Sequence, residues 1–507
     1  MSTDKKTNAL DRRNLRHTAV NLCTSFSGKP KGLESLQDYA KDIESITAAD
    51  VISEWSIAVG IRLEDIEIEK EAKQKRKVIN LTPEEKTIQS IYYDSWSGKY
   101  VRKNERGTYL SLNNKQISSR LKVDGLSSAK NQNGMSEVDE MVLKIEETND
   151  VGYVGALAGY KPGVYMFGST RALVIQGRND MNDHIGEWPL MKQVFETLLL
   201  DGQIEYFYSW LYFSVIMLDR GTHAPGQALA IAGERGCGKS LCQQLVTQIL
   251  GGRCARPYQY MVGETPFNAD LFEAEHLMIE DEANSTDNKS RKKFGAYIKN
   301  VVANKDQRLH GKGKNAVMLH PLWRVTITCN DDAEALMVLP PMEDGLEDKL
   351  MLFKASFADL PMPAGTPDEK ELFWRALMRE LPHFMHFIRN EYAVPEEIED
   401  PRYGVIHYHN KEMMDVLSKL SPEMHLLELI DAYIMGEKLS WHGTASDLLT
   451  EITDRDCDAA FEARKLLSWP NAAGTYLGRL AKRKPERVKC ERTGSSRDWR
   501  IIAEINE

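Results

Sequence analysis

The stretch ALAIAGERGCGKSLCQQLVTQIL, residues 228–250, constrains this chain more than any other. An apolar run leads in, a glycine-rich loop turns, and an apolar-periodic run leads out, so the stretch predicts strand, loop and helix. The loop satisfies GxxxxGK[ST] with Gly233, Gly238, Lys239 and Ser240. Glycines let the backbone curl until successive N–H groups point inward, and the following helix presents its N-terminus to the same place. Gly233, Glu234, Arg235, Gly236, Cys237, Gly238, Lys239, Ser240 and Leu241 are therefore expected to form an anion cradle. In such a cradle the lysine bridges the terminal phosphates of ATP and the serine hydroxyl holds Mg2+. An ordinary strand–turn–helix corner is the competing reading, and it requires neither lysine nor serine at those places.

Two further apolar strands follow. HLMIEDEAN ends in Glu280, Asp281 and Glu282. Adjacent carboxylates repel one another without a cation, so Asp281 is assigned to the metal and Glu282 to polarising the attacking water, with a shift of one place open. A polar strand end is the alternative. WRVTITCND carries Asn330 at its C-terminal tip, and Thr326 and Thr328 share its face because strand side chains alternate. An asparagine there can hydrogen-bond the terminal phosphate or the water, although an Asn-Asp turn after a strand is common on other grounds. Through residues 225–360 strands alternate with helices such as SLCQQLVTQIL and KFGAYIKNVVA. That predicts an α/β fold with a buried, mostly parallel sheet.

At roughly 100–200 residues per domain, 507 residues suggest three or four domains. The texture of the chain divides it into a polar helical region over 1–85, an α+β region over 86–204, the α/β core over 205–398 and a C-terminal domain over 399–507. IYYDSWSGKYVRKNERGTYLSL reads as hairpins, and WPLMKQVFETLLLDGQIEYFYSWLYFSVIML as apolar helices whose aromatic residues belong to a core. No run approaches about 18 uncharged apolar residues, so no membrane span is expected. The N-terminus lacks the apolar core of a secretory signal. The seven cysteines show neither CxxC nor zinc spacing, which fits free thiols in a reducing cytoplasm. The net charge of −10 says little about nucleic acid, because a binder needs only local positive charge.

GERGCGKS, FNADLFEAEHLMIEDEAN, YIKNVVANKDQRLHGKGK and WRVTITCND, in that order, resemble superfamily 3 helicases, and more closely the helicase half of phage, plasmid and poxvirus-type primase-helicases. Asp281 follows Lys239 by 42 positions and Asn330 follows Asp281 by 49, which suits that family's compact core. The likeness covers residues 90–360 well, 405–507 loosely and 1–80 not at all. It implies an AAA+-like P-loop ATPase, a homohexameric ring, ATP with Mg2+, and translocation on single-stranded or forked DNA. Asp281 and Glu282 become the Walker B pair and Asn330 the sensor. A hairpin projecting into the channel corresponds to RLHGKGKNAVML, where Lys312 and Lys314 flank a glycine turn beside His310. Such lysines meet phosphates without reading bases, so RNA would serve as well as DNA. From the residues alone, a solvated turn is equally open.

Family members carry an arginine shortly after the sensor strand that reaches into the neighbouring subunit. Here the best match is Lys349, a point charge rather than a planar fork, with Arg375 or Arg379 as substitutes. No primase-type domain fits in residues 1–85, so the resemblance implies a stand-alone helicase, or one whose primase or polymerase is a separate chain.

The C-terminal stretches WHGTASDLLTEI and AAGTYLGRLAKRKPERVKCERTGSSRDWRII suggest helix, helix and then a two-stranded wing, a winged-helix-like unit. Residues 479–500 hold nine Lys/Arg against three Asp/Glu. Arg479, Lys482 and Arg483 fall near one helix face, and Arg492 and Arg497 flank the wing turn, which predicts duplex or forked DNA binding. A protein-binding winged helix with a solvated basic face remains open. The function expected is a replicative DNA helicase of a phage, plasmid or mobile element. The alternatives are an ATP-regulated DNA-binding initiator or scaffold with little unwinding, and a small-substrate P-loop kinase, against which the order of strands argues.

Overall fold

The computed structural model describes residues 90–180, 182–199, 202–280, 288–342, 345–357, 360–436, 438–493 and 496–503. The expectations for residues 1–85 lie outside the described residues. Two compact units divide the chain, one running to Asp150 and including Asp219–Thr222, the other formed by Val151–Leu218 and the chain from His223 onward.

In the first unit, β1 (Ile91–Asp94), β2 (Lys99–Lys103) and β3 (Tyr109–Leu112) form the antiparallel meander expected from their aromatic–polar alternation. Helices α1 (Asn114–Val123) and α2 (Glu137–Thr148) follow, each opened by a capping box, from Asn113 and from Ser136. Ile91, Tyr100, Ile117, Leu121, Met141 and Ile145 are the buried core.

The second unit starts with a small sheet of β4 (Tyr153–Ala156), β5 (Gly163–Phe167) and β6 (Thr170–Gln176), in the order β4–β6–β5. Helices α3 (Pro189–Leu198) and α4 (Gln203–Arg220) then lead to the main sheet. Their aromatic residues are core, as expected: Phe195 and Phe207 are fully buried with ring centroids 5.1 Å apart, and Trp210 Nε1 donates to Gln227 O at 2.8 Å.

The main sheet contains β7 (Ala228–Gly233), β8 (Cys254–Ala255), β9 (His276–Glu280), β12 (Arg324–Cys329) and β13 (Leu350–Ala355). All its pairings are parallel, in the order β13–β7–β12–β9–β8. Every residue of β7 and β12 is buried, as strands covered on both faces require. Helix α5 (Lys239–Ile249) follows β7, and α6 (Asn288–Ala303) precedes the hairpin β10 (Gln307–Leu309) and β11 (Val317–Leu319). Because β12 lies between β7 and β9, the chain crosses over after β7, and the carboxyl ends of β7, β12 and β9 line up at one edge. Such an edge is where open parallel sheets bind ligands. The long helix α7 (Pro367–His386) packs its Phe373, Leu377, Leu381 and Phe384 into the same core.

The C-terminal part has helix α8 (Pro422–Leu429), strand β14 (Ser440–Thr444), helices α9 (Ala445–Ile452), α10 (Ala460–Leu466) and α11 (Ala472–Arg483), and strands β15 (Val488–Thr493) and β16 (Ser496–Ile502). The sequence suggested a helix over WHGTASDLLTEI. Its first residues instead form β14, which pairs with β16, and the helix begins at Ala445 after a Thr444–Asp447 capping box. Three antiparallel strands in the order β14–β16–β15 thus pack their Trp441, Val488, Trp499 and Ile501 against Leu448, Tyr476 and Leu480 of the helices. The fold is mixed α/β with a wholly parallel central sheet.

Candidate functional site

The cradle loop leaves the carboxyl end of β7 at Gly233 and enters α5 at Lys239. Gly236 and Gly238 have φ of +86° and +106°, a left-handed region that side-chain-bearing residues rarely adopt. Cys237 between them is buried in the apolar core, and half-buried Leu241 packs against the same cluster. Glu234, Arg235 and Ser240 are exposed around the loop. The first turn of α5 carries backbone N–H groups that have no partner within the helix.

Lys239 is only 7% exposed. Its Nζ donates to Gly233 O at 2.7 Å, to Glu234 O at 2.8 Å and to Asn330 Oδ1 at 3.3 Å. No carboxylate among the described residues pairs with it. A buried ammonium among neutral acceptors favours a nearby anion. The structure thus brings Lys239 together with Asn330, although 91 positions separate them, because β12 and β7 are neighbours in the sheet. In that ladder Thr328 lies opposite Ile231, and on the other side opposite Glu280 of β9. Glu280 ends β9 and forms an ion pair with Arg256 at 2.7 Å. Asp281 and Glu282 lie outside the described residues.

The expected hairpin exists. Leu309 pairs with Val317 and Gln307 with Leu319, and the tip turns at Gly313 with φ of +71°. Lys312 is exposed at the tip and Lys314 is half-buried. The base is clamped by Asn268, which is 2% exposed. Its Nδ2 donates to Arg308 O at 2.9 Å, its Oδ1 accepts from His310 N at 2.7 Å, and its own N–H donates to His310 O at 3.2 Å. Sequence reading missed Asn268; its only trace was a polar residue inside the apolar stretch FNADLF. The His310 ring also lies tilted against Phe267, with ring centroids 5.5 Å apart.

The remaining candidates are placed elsewhere. Lys349 Nζ is 2.7 Å from Asp348 Oδ1, and its side chain is 12% exposed. Asp348 also accepts from Tyr403 Oη at 3.2 Å and lies 3.5 Å from Arg402. Partial burial raises the Asp348 carboxyl, but Lys349, Tyr403 and Arg402 outweigh it and hold it below its usual range. Arg375 pairs with Glu371 at 2.5 Å, and Arg379 is exposed on α7.

On α11, Arg479 and Arg483 both turn to Glu423 of α8, at 3.8 Å and 2.9 Å. Glu423 has a side chain only 3% exposed, and Arg483 also donates to Ser421 Oγ and to Met342 O. Those two arginines therefore tie the C-terminal helix to its neighbours, while Lys482 is exposed. Arg492 and Arg497 sit opposite each other in the β15–β16 ladder, and Arg497 is exposed.

Residues 231–344 match a family of unknown function, DUF5906. No curated protein matches the chain. Among solved structures the chain is similar to the apo structure of the NrS-1 C terminal region (305–718), at 13% identity and a TM-score of 0.46, over 82% of this chain and 96% of that one. An A form apo structure of the NrS-1 C terminal region is similar at 12% identity and a TM-score of 0.45, over the same shares. Among the described residues no helix is long and apolar enough to cross a membrane.

Proposed function

We propose that this chain is an ATP-dependent DNA helicase of a phage, plasmid or mobile element, acting in the cytoplasm as a homo-oligomeric, hexameric ring on single-stranded or forked DNA during replication. The observation that carries the reading is the meeting of Lys239 and Asn330 at the carboxyl edge of a parallel sheet, 3.3 Å apart and without a carboxylate partner among the described residues.

The residues fit a magnesium nucleotide. Two left-handed glycines shape the loop, a Cβ on Gly236 would enter open space, and among the described residues the buried ammonium meets only neutral acceptors. ATP supplies the phosphoanhydride bond whose hydrolysis drives the motor. Gly233 to Leu241 bind its phosphates through backbone N–H groups, and Lys239 orients the terminal ones. Ser240 and Asp281 would hold Mg2+, which would screen the phosphate charge, Glu282 would polarise the attacking water, and Asn330 would hydrogen-bond the terminal phosphate or that water.

Residues 205–398 form the AAA+-like P-loop core, 86–204 the region before it, and 399–507 a winged-helix-like DNA-binding domain. The exposed Lys312 at the hairpin tip supports phosphate contact inside a ring, with Lys314 and His310 behind it. Lys482, Arg492 and Arg497 are the basic candidates of the last domain toward forked DNA. A separate primase or polymerase would complete the replication machinery.

The test is ATP hydrolysis by the full chain with and without single-stranded DNA, followed by unwinding of a forked duplex. Stimulation by DNA that disappears in Lys239→Ala supports the motor. Hydrolysis indifferent to DNA, with no unwinding, favours an ATP-regulated initiator or scaffold. One observation favours that second reading: Lys349, the residue matched to the trans finger, is held on Asp348.

A further inference from the structure

We propose that Gln243 is a positioning residue for the hydrolysis described above, its carboxamide setting the height of the cradle helix against the strands that lead to the carboxylates and to Asn330. The proposal rests on the ATPase reading and adds a residue to it.

Lys239, Gln243 and Thr247 recur every four positions along α5 and so share one helix face. Thr326, Thr328 and Asn330 recur every two positions along and just past β12 and share one strand face. Four helical residues advance about 6 Å and two strand residues about 6.6 Å, so the two polar stripes can meet rung by rung. They do. Lys239 Nζ donates to Asn330 Oδ1. One turn deeper, Thr328 Oγ1 donates to Gln243 Oε1 at 3.1 Å, and Gln243 Nε2 donates to Thr326 Oγ1 at 2.9 Å and to Ile279 O at 3.0 Å. Another turn deeper, Thr247 Oγ1 is 2.7 Å from His276 Nδ1, whose Nε2 is 2.7 Å from Thr326 Oγ1.

One assignment of hydrogens satisfies all of these contacts together. Ile279 O can only accept, so the carboxamide has one orientation. Thr326 then accepts from Gln243 and passes its own hydrogen to His276 Nε2. That leaves the imidazole hydrogen on Nδ1, donated to Thr247 Oγ1, which in turn donates to Gln243 O at 3.1 Å. The ring closes on the residue where it began. Burial agrees with a neutral imidazole, holding His276 down at about 3.

Gln243 therefore touches three lines of force at once. It lies four positions after Lys239, on a carbonyl two positions before Asp281, and on a hydroxyl two positions before Asn330. An apolar side chain of like volume would fill the same space but fix no height, and misplacing a reacting group by about 1 Å can cost about a hundredfold in rate. Fully satisfied buried networks are the ones that specify a single arrangement.

The test uses the full chain and four variants, Gln243→Met, Gln243→Ala, Thr328→Val and Thr328→Ser, with a fluorescent ATP analogue for affinity and steady-state hydrolysis for kcat and KM. Gln243→Met is expected to bind the analogue within about threefold of wild type while kcat falls at least about tenfold. Thr328→Val loses part of the rate, and Thr328→Ser, which keeps the hydroxyl, recovers it. If the Gln243 variants do not fold, the Thr328 pair decides. Wild-type kcat and KM in Gln243→Met or in Thr328→Val, or equal losses of affinity and rate, overturn the positioning role. A wild-type chain that hydrolyses no ATP overturns the ATPase reading and this proposal with it, which separates the two failures.

Discussion

Two lysines of this chain sit at comparable depth and lead opposite lives. Lys239 is 7% exposed and bonds two carbonyls and an amide oxygen. The Lys349 side chain is 12% exposed and bonds a carboxylate. A buried cation among neutral acceptors still has its charge to balance, whereas one against a carboxylate is already balanced. The contrast extends to their surroundings. Behind Lys239, polarity is buried by neutral hydrogen bonds through Gln243, Thr326, His276 and Thr247. Away from the sheet edge, Arg479 and Arg483 share the carboxylate of Glu423, and Arg253 pairs with Glu275. Neutral acceptors around a buried cation are not confined to the sheet edge, since Arg324 rests on Ser214 Oγ and two carbonyls and Arg291 on Leu339 O; what sets Lys239 apart is that it meets Asn330 at the mouth of the glycine loop.

The largest effect should come from breaking the contrast at its centre. Lys239→Ala should lower ATP hydrolysis by about a hundredfold or more, the scale of losing one preorganised charge at a phosphoryl-transfer site. Lys349→Ala should change it by less than about threefold. Steady-state hydrolysis measures both. Equal losses would mean that Lys349 leaves Asp348 in the working assembly, and the contrast would fail.

Next in size is the Glu423 pair. Glu423→Gln leaves Arg479 and Arg483 facing a neutral group in a site where the carboxylate side chain is 3% exposed. Breaking a buried pair costs about 3–5 kcal/mol, and the arginines are each 31% exposed, so solvent screening brings the expected loss to about 2 kcal/mol. Urea unfolding reads it. Unchanged stability, with a salt slope of DNA binding that drops when Arg483 is replaced by alanine, would make these arginines phosphate ligands instead.

His276 tests the neutral side. Its pKa falls from 6.5 to about 3 because it is buried. The unfolded chain then binds more protons than the folded one between those values, so stability is lost as pH falls below about 6.5. From pH 7 to pH 5 the loss from this residue is about 2 kcal/mol. His223, lowered to about 4 by burial and the nearby Arg324, acts in the same direction. His276→Gln should flatten the dependence by about that amount, measured by thermal or urea unfolding across that range. An unchanged slope would show that the imidazole is not held neutral.

The cradle and the parallel sheet were legible because each has a short-range signature: glycines before Lys239, and uninterrupted apolar runs for strands covered on both faces. The hairpin was legible from glycine and lysine spacing. What could not be read was long-range pairing. Nothing local distinguishes Lys349 beside Asp348 from a free lysine, because Tyr403 and Arg402 arrive from 54 or more positions away. Arg479 and Arg483 looked like a basic face until α8 brought Glu423 beneath them. Gln243 looked like any helix glutamine, although the notable spacing of Thr326, Thr328 and Asn330 was visible and wanted only a partner stripe. Strand β14 hid inside a helical pattern because its pairing partner β16 lies near the end of the chain.

The smallest effect concerns the hairpin, where the difference in exposure predicts a division between neighbours. Lys312 is exposed at the tip, while Lys314 is half-buried. A phosphate contact in single-stranded DNA contributes about 0.7 to the slope of log affinity against log salt. Lys312→Ala should therefore lower that slope by about 0.7 and weaken binding severalfold at moderate salt, for every base sequence alike. Lys314→Ala should do less, because that residue is half-buried. Fluorescence anisotropy across a salt series separates the two. A slope unmoved by Lys312→Ala would leave the tip a solvated turn, and the basic residues of the last domain would then have to carry DNA binding alone. A slope moved equally by both would mean that half-burial does not keep Lys314 from a phosphate, and the tip would then act through two lysines.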